Sequence, residues 1–169
     1  AGNAQEATSA KNDIWSHRWS IEDNEHFTGF VKDGTYVSTY IMMALTSSLG
    51  IIVHEFGHDL GFFDLYDTDY SSNGIGNFGL MSGGCWLGNG SLRDGSNPAW
   101  PISWHQKQAG WLTVTDITAA PGAKSLGEIH TSYTAMLIGL DSKGTGNHSE
   151  YFLLDNRHKR SSGYDAEIP

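Results

Sequence analysis

Apolar residues recur along this chain with two different spacings. Up to residue 45, aromatic and β-branched positions come in short runs, at 13–20, 27–31 and 35–45, which predict strands. Asp33-Gly34 between the last two runs is a hairpin signal. From residue 49 the period changes. Leu49, Ile52, Val53, Phe56 and Leu60 recur at helical intervals and should form a buried face. Thr46, Ser47 or Ser48 can cap this helix, placed at 47–60, and Gly61 can end it in the left-handed conformation. Residues 64–90 are dense in Asp, Asn, Ser and Gly and predict a long ordered loop, which inside a compact domain is usually functional. A short helix is expected at 98–110 with Pro98 near its start. Strands follow at 111–115, 132–140 and 150–155, with a Gly-rich turn at 141–147. The pattern is α+β, with an upper lobe at 1–61 that includes the central helix and a lower lobe at 62–169.

Composition narrows the function classes. The 169 residues, 38% hydrophobic and 17% charged, suffice for one domain with a core and exclude a disordered polar tract. No apolar run is long enough to span a bilayer. The net charge of −9 and the absence of a long Lys/Arg cluster argue against nucleic acid or an anionic membrane as the main partner. A single cysteine, Cys85, excludes an intrachain disulfide framework. The first five residues carry neither the basic nor the apolar region of a leader peptide.

The chemistry is concentrated in His54-Glu55-Phe56-Gly57-His58-Asp59-Leu60-Gly61-Phe62-Phe63-Asp64. Residues four apart share a helix face, so His54 and His58 can aim their imidazoles at one Zn²⁺. Glu55 is displaced around the helix, where it reaches a metal-activated water and can act as general base. Gly61 permits a sharp exit from the helix and brings Asp64 back as a third, oxygen ligand. Two histidines and a glutamate at this spacing should arise by chance about once or twice in a hundred shuffled chains. Requiring the Gly and Asp as well reduces that to roughly one in several thousand. An ordinary helix with a polar face explains the apolar residues but not this spacing.

The extended motif resembles the zinc signature of the metzincin clan, with Asp64 in place of the more common third His. Met81, in Phe78-Gly79-Leu80-Met81-Ser82-Gly83-Gly84, is similar to that clan's Met-turn, an apolar base beneath the metal. A closer likeness is to the immune inhibitor A-type secreted peptidases. They share the continuation of the zinc helix into Asp64-Leu65-Tyr66-Asp67, together with Ile14-Trp15-Ser16-His17-Arg18-Trp19 and Leu80-Met81-Ser82-Gly83-Gly84-Cys85-Trp86. Ala109-Gly110-Trp111 and Glu150-Tyr151-Phe152-Leu153-Leu154-Asp155-Asn156-Arg157 extend the likeness over most of the chain. Phe63 departs from it where the family usually has Pro, and Asp155 where Glu is common.

The resemblance implies a metzincin-like zinc endopeptidase with a mixed sheet lobe, a central zinc helix and an irregular or β-rich lower lobe. It further implies a peptide or protein substrate, extracellular action, and a chain that is a fragment of a larger protein. A rival reading from another class is a peptidase-like domain that keeps zinc for structure or for binding a partner. Glu55 argues against that rival, because a purely structural site gains nothing from a base beside the metal. A zinc peptidase with a distant Glu as third ligand is a further alternative, with Glu150 or Asp155 as the candidate.

Asp67, Asp69 and Asn73 cluster oxygen donors near Asp64 and read equally as a calcium site or as a solvated acidic loop. The other histidines (His17, His26, His105, His130, His148, His158) lack paired spacing and read as surface or hydrogen-bonded residues. Tyr66 and Tyr70 can donate to an oxyanion or simply pack. Cys85 reads as a small buried apolar residue. Residues 35–45 are either the edge strand that receives an extended peptide or an interior strand of the upper lobe.

Overall fold

The computed structural model of the chain describes residues 2–22, 29–89, 93–120, 122–141 and 147–169. A one-turn helix α1 (Gln5–Thr8) precedes strands β1 (His17–Ser20), β2 (Phe30–Lys32), β3 (Thr35–Val37) and β4 (Thr39–Met42). Helix α2 (Leu49–Asp59) follows, then two 3-10 turns at Gly76–Phe78 and Gly83–Trp86 and helix α3 (Ser103–Gln108). Strand β5 (Thr113–Asp116), helix α4 (Ile129–Ser132) and strands β6 (Thr134–Gly139) and β7 (Tyr151–Leu154) complete the order. The strands form three small sheets, β1-β4, β2-β3 and β5-β6-β7, so the architecture is mixed α and β with one long helix.

The hairpin forms where the sequence predicts it. Lys32 pairs with Thr35 across Asp33 and Gly34, whose φ values of 51° and 79° both lie in the left-handed region that a two-residue hairpin turn needs. The strand expected over 35–45 divides at Ser38. Before it, Tyr36 pairs with Val31; after it, Tyr40 pairs with Trp19. The Ser38 carbonyl itself accepts bonds from the Ile21 amide and the Ser20 hydroxyl, so the chain exchanges one partner strand for another there. Residues 27–28 of the expected strand at 27–31, and 142–146 of the Gly-rich turn, lie outside the described residues, as does His26.

The expected helix at 98–110 begins later, at Ser103. Pro98 and Pro101 push the residues before them toward extended backbone, and the helix starts only past the second proline. The strands at 113–116, 134–139 and 151–154 fall within a residue or two of their expected ranges, with β5 parallel and β7 antiparallel to β6.

The packing of α2 reverses one expectation. Its buried residues are Gly50, Ile51, His54, Glu55 and Gly57. Of the periodic apolar stripe, Leu49, Ile52, Phe56 and Leu60 are 40–54% exposed, and Val53 alone of the five is half-buried against the core. The helix therefore turns its motif face, rather than most of its apolar stripe, onto the segment from Phe62 to Cys85. Ile51 packs there in one cluster with Phe62, Leu80, Met81 and Cys85, which places Cys85 in the core as expected. A second small cluster joins Leu87, Ala99 and Ile168.

Candidate metal centre

Helix α2 carries His54 and His58 one turn apart, and their rings meet edge to face at 4.9 Å between centroids. The helix ends in a Schellman turn. The Phe62 amide bonds back to the Gly57 carbonyl at 2.9 Å and the Gly61 amide to the His58 carbonyl at 3.0 Å. Gly61 holds φ at +86°, a conformation that an L side chain adopts only at a cost. This reversal returns the chain over the helix end, and Asp64 Oδ1 arrives 3.2 Å from His54 Nε2 and 3.5 Å from His58 Nε2.

The hydrogen bonds around these three residues aim them at one point. Each histidine spends Nδ1 on a backbone carbonyl, His54 on Leu80 at 3.0 Å and His58 on Phe62 at 2.8 Å. A neutral ring that donates from Nδ1 presents the lone pair of Nε2. Both lone pairs therefore converge on Asp64 Oδ1, a buried acceptor with no hydrogen-bond partner of its own. Three acceptors facing one another repel unless a metal ion or a proton lies between them. The three ligand atoms lie within 4.8 Å of one another. The two N···O separations match the roughly 3.3–3.5 Å edge of a tetrahedron with metal–ligand distances of about 2.0–2.1 Å. Among the described residues no other group of three or more His, Cys, Asp or Glu converges in this way, and neither Glu150 nor Asp155 joins it.

In the metal-free chain a proton on His54 can play that part. Burial disfavours a charged His54, but the Asp64 carboxylate beside it, together with Cys85 and the Leu80 carbonyl, outweighs burial and lifts its pKa to about 10. Burial likewise works against an ionised Asp64, and the neighbouring His54 and His58 overcome it and lower its pKa.

Two supports stand behind these three residues. Tyr66 donates its hydroxyl to Asp64 Oδ2 at 3.0 Å. Burial and that bond push the phenol up to about 12, so it remains a donor and leaves Oδ1 to face the imidazoles. Met81, fully buried, lies beneath the helix at Gly57, where a Cβ would stand 2.8 Å from the Met81 sulfur. Only glycine admits the methionine so close. The Met81 carbonyl also accepts the Leu65 amide at 2.7 Å, which ties the residue after Asp64 to the same turn.

Glu55 is 8% exposed and lines, with His54, His58 and Asp64, a cleft of about 1560 Å³. Trp15, Trp19, Tyr40, Phe78 and Trp86 line it as well. Strand β1 borders this cleft, held to the end of α2 by an Arg18–Asp59 ion pair of 3.0 Å. Tyr70, the other tyrosine singled out from the sequence, is 88% exposed among the residues that line the cleft.

The acidic loop beyond Asp64 turns inward on itself. Asp67 accepts the Ser71 hydroxyl at 2.8 Å and the Ser72 and Asp69 amides, and Asp69 accepts the Ser71 amide at 2.8 Å. These bonds, that of Ser71 foremost, hold the Asp67 carboxyl well below the usual range. Asp67 and Asp69 thus serve the loop itself, the Asn73 carbonyl accepts the Gly76 amide, and among the described residues neither aspartate belongs to a group of three His, Cys, Asp or Glu placed to share a metal ion.

Of the remaining histidines, His17, His130 and His148 are hydrogen-bonded as expected and His158 is exposed. His105 departs from expectation: it is fully buried, stacked on Phe62 at 4.7 Å, and burial lowers its pKa.

Sequence reasoning did not find the carbonyls that orient the histidines, the Tyr66 bond, or the role of Gly57. Only Gly57 leaves a signal in the sequence, as a helix-weakening residue between the two histidines.

The catalytic-domain profile described as immune inhibitor A peptidase M6 matches residues 1–112. Immune inhibitor A of Bacillus thuringiensis subsp. alesti is 36% identical over 104 residues, which cover 52% of this chain and 15% of that protein. The pre-pro-metalloprotease PrtV of Vibrio cholerae serotype O1 (strain M66-2) is 28% identical over 130 residues, 67% of this chain and 14% of that protein. The chain thus spans about one-seventh of the length of these relatives.

Proposed function

The chain belongs to the immune inhibitor A peptidase M6 family, and on that footing we propose that it is the catalytic domain, or part of it, of a zinc-dependent endopeptidase acting outside the cell. The single observation that carries the metal is the convergence of two imidazole Nε2 atoms and an otherwise unpartnered carboxylate oxygen. The donor set of two nitrogens and one oxygen suits zinc with an open fourth position. His54, His58 and Asp64 would hold it, with Met81 as the apolar floor.

Zinc, when bound there, supplies a Lewis acid that acidifies water and polarises a peptide carbonyl. Everything else is supplied by the chain. Glu55 takes the proton at its carboxylate and returns it to the leaving amine nitrogen. The Leu80 and Phe62 carbonyls hold the imidazoles in the tautomer that leaves Nε2 free. The aromatic walls of the cleft supply apolar contact for the side chains of an extended peptide.

The test is metal content by mass spectrometry on the purified chain and on Glu55→Ala, with cleavage of an unstructured protein as the readout. One zinc per chain in both, with cleavage by the parent alone, is the expected result. Zinc in both without cleavage in either would replace this reading with that of a metal-holding domain. No zinc after reconstitution would overturn it.

A further inference from the structure

Outside the metal centre a buried polar cluster joins His130, Arg157 and Asp165, all beyond the 112 residues that match the family profile. Asp165 is completely buried. It accepts His130 Nε2 at 2.6 Å, Arg157 Nε at 2.7 Å and Nη2 at 3.1 Å, and the Trp100 amide at 2.9 Å. The His130 ring also lies against Trp100, 5.0 Å between centroids. This carboxylate holds the guanidinium edge-on, which leaves the remaining N–H groups of the fork to point elsewhere.

They point at the segment that orients the metal ligands. Arg157 Nη1 donates to the Phe78 carbonyl, and Nη2 to the Trp100 carbonyl at 2.8 Å. The same Trp100 carbonyl accepts the Leu80 amide at 3.2 Å. Leu80 in turn offers its own carbonyl to His54 Nδ1. An unbroken path of hydrogen bonds therefore runs from Asp165 through Arg157 and Trp100 to Leu80 and His54. Arg157 grips the segment at two carbonyls, that of Phe78 two residues before Leu80 and that of Trp100 bonded to it.

We propose that Arg157, held by Asp165 and His130, is a positioning residue for the metal centre, fixing the Leu80 carbonyl that sets the tautomer and direction of His54. This rests on the zinc reading above only for its metal readout; the orientation of His54 can be measured in the metal-free chain. Outer partners of metal-binding histidines commonly contribute 10–100-fold in affinity. Arg157 acts one bond further out, which places its effect near the lower end, about tenfold.

The experiment compares Arg157→Gln and Arg157→Lys with Leu137→Ala, a packing change in strand β6 that serves as the control. Three quantities are read: thermal midpoint, zinc dissociation constant, and the NMR signals of the His54 imidazole nitrogens and Nδ1 proton in the metal-free chain. Both Arg157 variants should weaken zinc about tenfold and broaden or shift the His54 Nδ1–H signal, because an ammonium cannot reproduce the fork. Leu137→Ala should lower the midpoint at least as far with neither change.

An unperturbed His54 signal in the Arg157 variants, or the same perturbation in Leu137→Ala, would overturn the proposal. Failure of the parent to bind zinc would count against the zinc reading and leave the His54 signal to decide this one. Hydrogen exchange in the parent needs no variant. The Leu80 and Trp100 amides should be protected to a similar degree, and a Leu80 amide exchanging far faster would show that the two are not one rigid unit.

Discussion

Replacing Gly61 by alanine tests how Asp64 reaches the two histidines. Gly61 sits at φ +86°, and a Cβ built on it meets nothing within 4 Å. The substitution therefore carries no steric term, and its effect is the conformational cost of an L residue in the left-handed region, about 1–2 kcal/mol. That cost can emerge in two places. If the variant keeps the turn, the folded chain loses about 1–2 kcal/mol, equivalent to a fall of roughly 2–8 °C in the thermal midpoint of a domain of this size. If the turn opens in the metal-free chain, Asp64 leaves the histidines and zinc binding weakens by up to about 5–30-fold.

The sum of the two losses is the predicted quantity. It is measured by denaturant unfolding of the metal-free chain together with zinc affinity from competition with a chelating dye. Gly61→Asn should lose distinctly less than Gly61→Ala, because asparagine enters this conformation more readily. A summed loss under about 0.5 kcal/mol for the alanine variant, the range of an ordinary surface substitution, would refute the argument that the turn is what delivers Asp64. An asparagine variant as poor as alanine would do the same.

Further outcomes follow from the surroundings of the ligands. Tyr66→Phe removes the donor to Asp64 Oδ2 and should weaken zinc by about tenfold, read by the same dye competition; unchanged affinity would show the bond to be incidental. The raised pKa of His54 fixes a sign for pH. A folded-state pKa of about 10 means that, in the metal-free chain, stability from the charged His54 is full below its ordinary value of 6.5 and is lost as pH rises through about 10. Zinc must displace that proton, so its apparent affinity should rise about tenfold per pH unit from near 7 toward 9. Thermal scans at buffered free zinc should then show the gap between loaded and metal-free midpoints widening with pH, and a constant gap would contradict the assignment.

What can be read from the residues in order is what neighbouring backbone angles determine. The two imidazoles share a face because a helix repeats every 3.6 residues. The hairpin at Asp33-Gly34 and the helix stop at Gly61 are legible for the same reason, since each depends on the φ preference of one or two residues. Asp64 follows from Gly61, three residues of chain past a turn of known geometry. Periodicity misleads where it is asked about burial. The apolar stripe of α2 is visible in the sequence, yet its exposure depends on what packs against the helix. The division of the strand at Ser38 escapes for a similar reason, because a residue's pairing partner is not encoded in its own propensity.

By itself, then, the sequence determined the identity and spacing of His54, Glu55, His58 and Asp64, and the glycine that lets the chain double back. Tertiary structure alone decided that His54 leans on a carbonyl 26 residues away, that Tyr66 turns its hydroxyl to Asp64, and that Met81 lies against Gly57. It alone brought Arg157 to carbonyls 79 and 57 residues distant and sealed it under Asp165. The physical reason is the range of the forces. Helical spacing and turn geometry are set within a few consecutive residues, whereas a buried hydrogen bond exists only once two remote segments have been packed together and deprived of water.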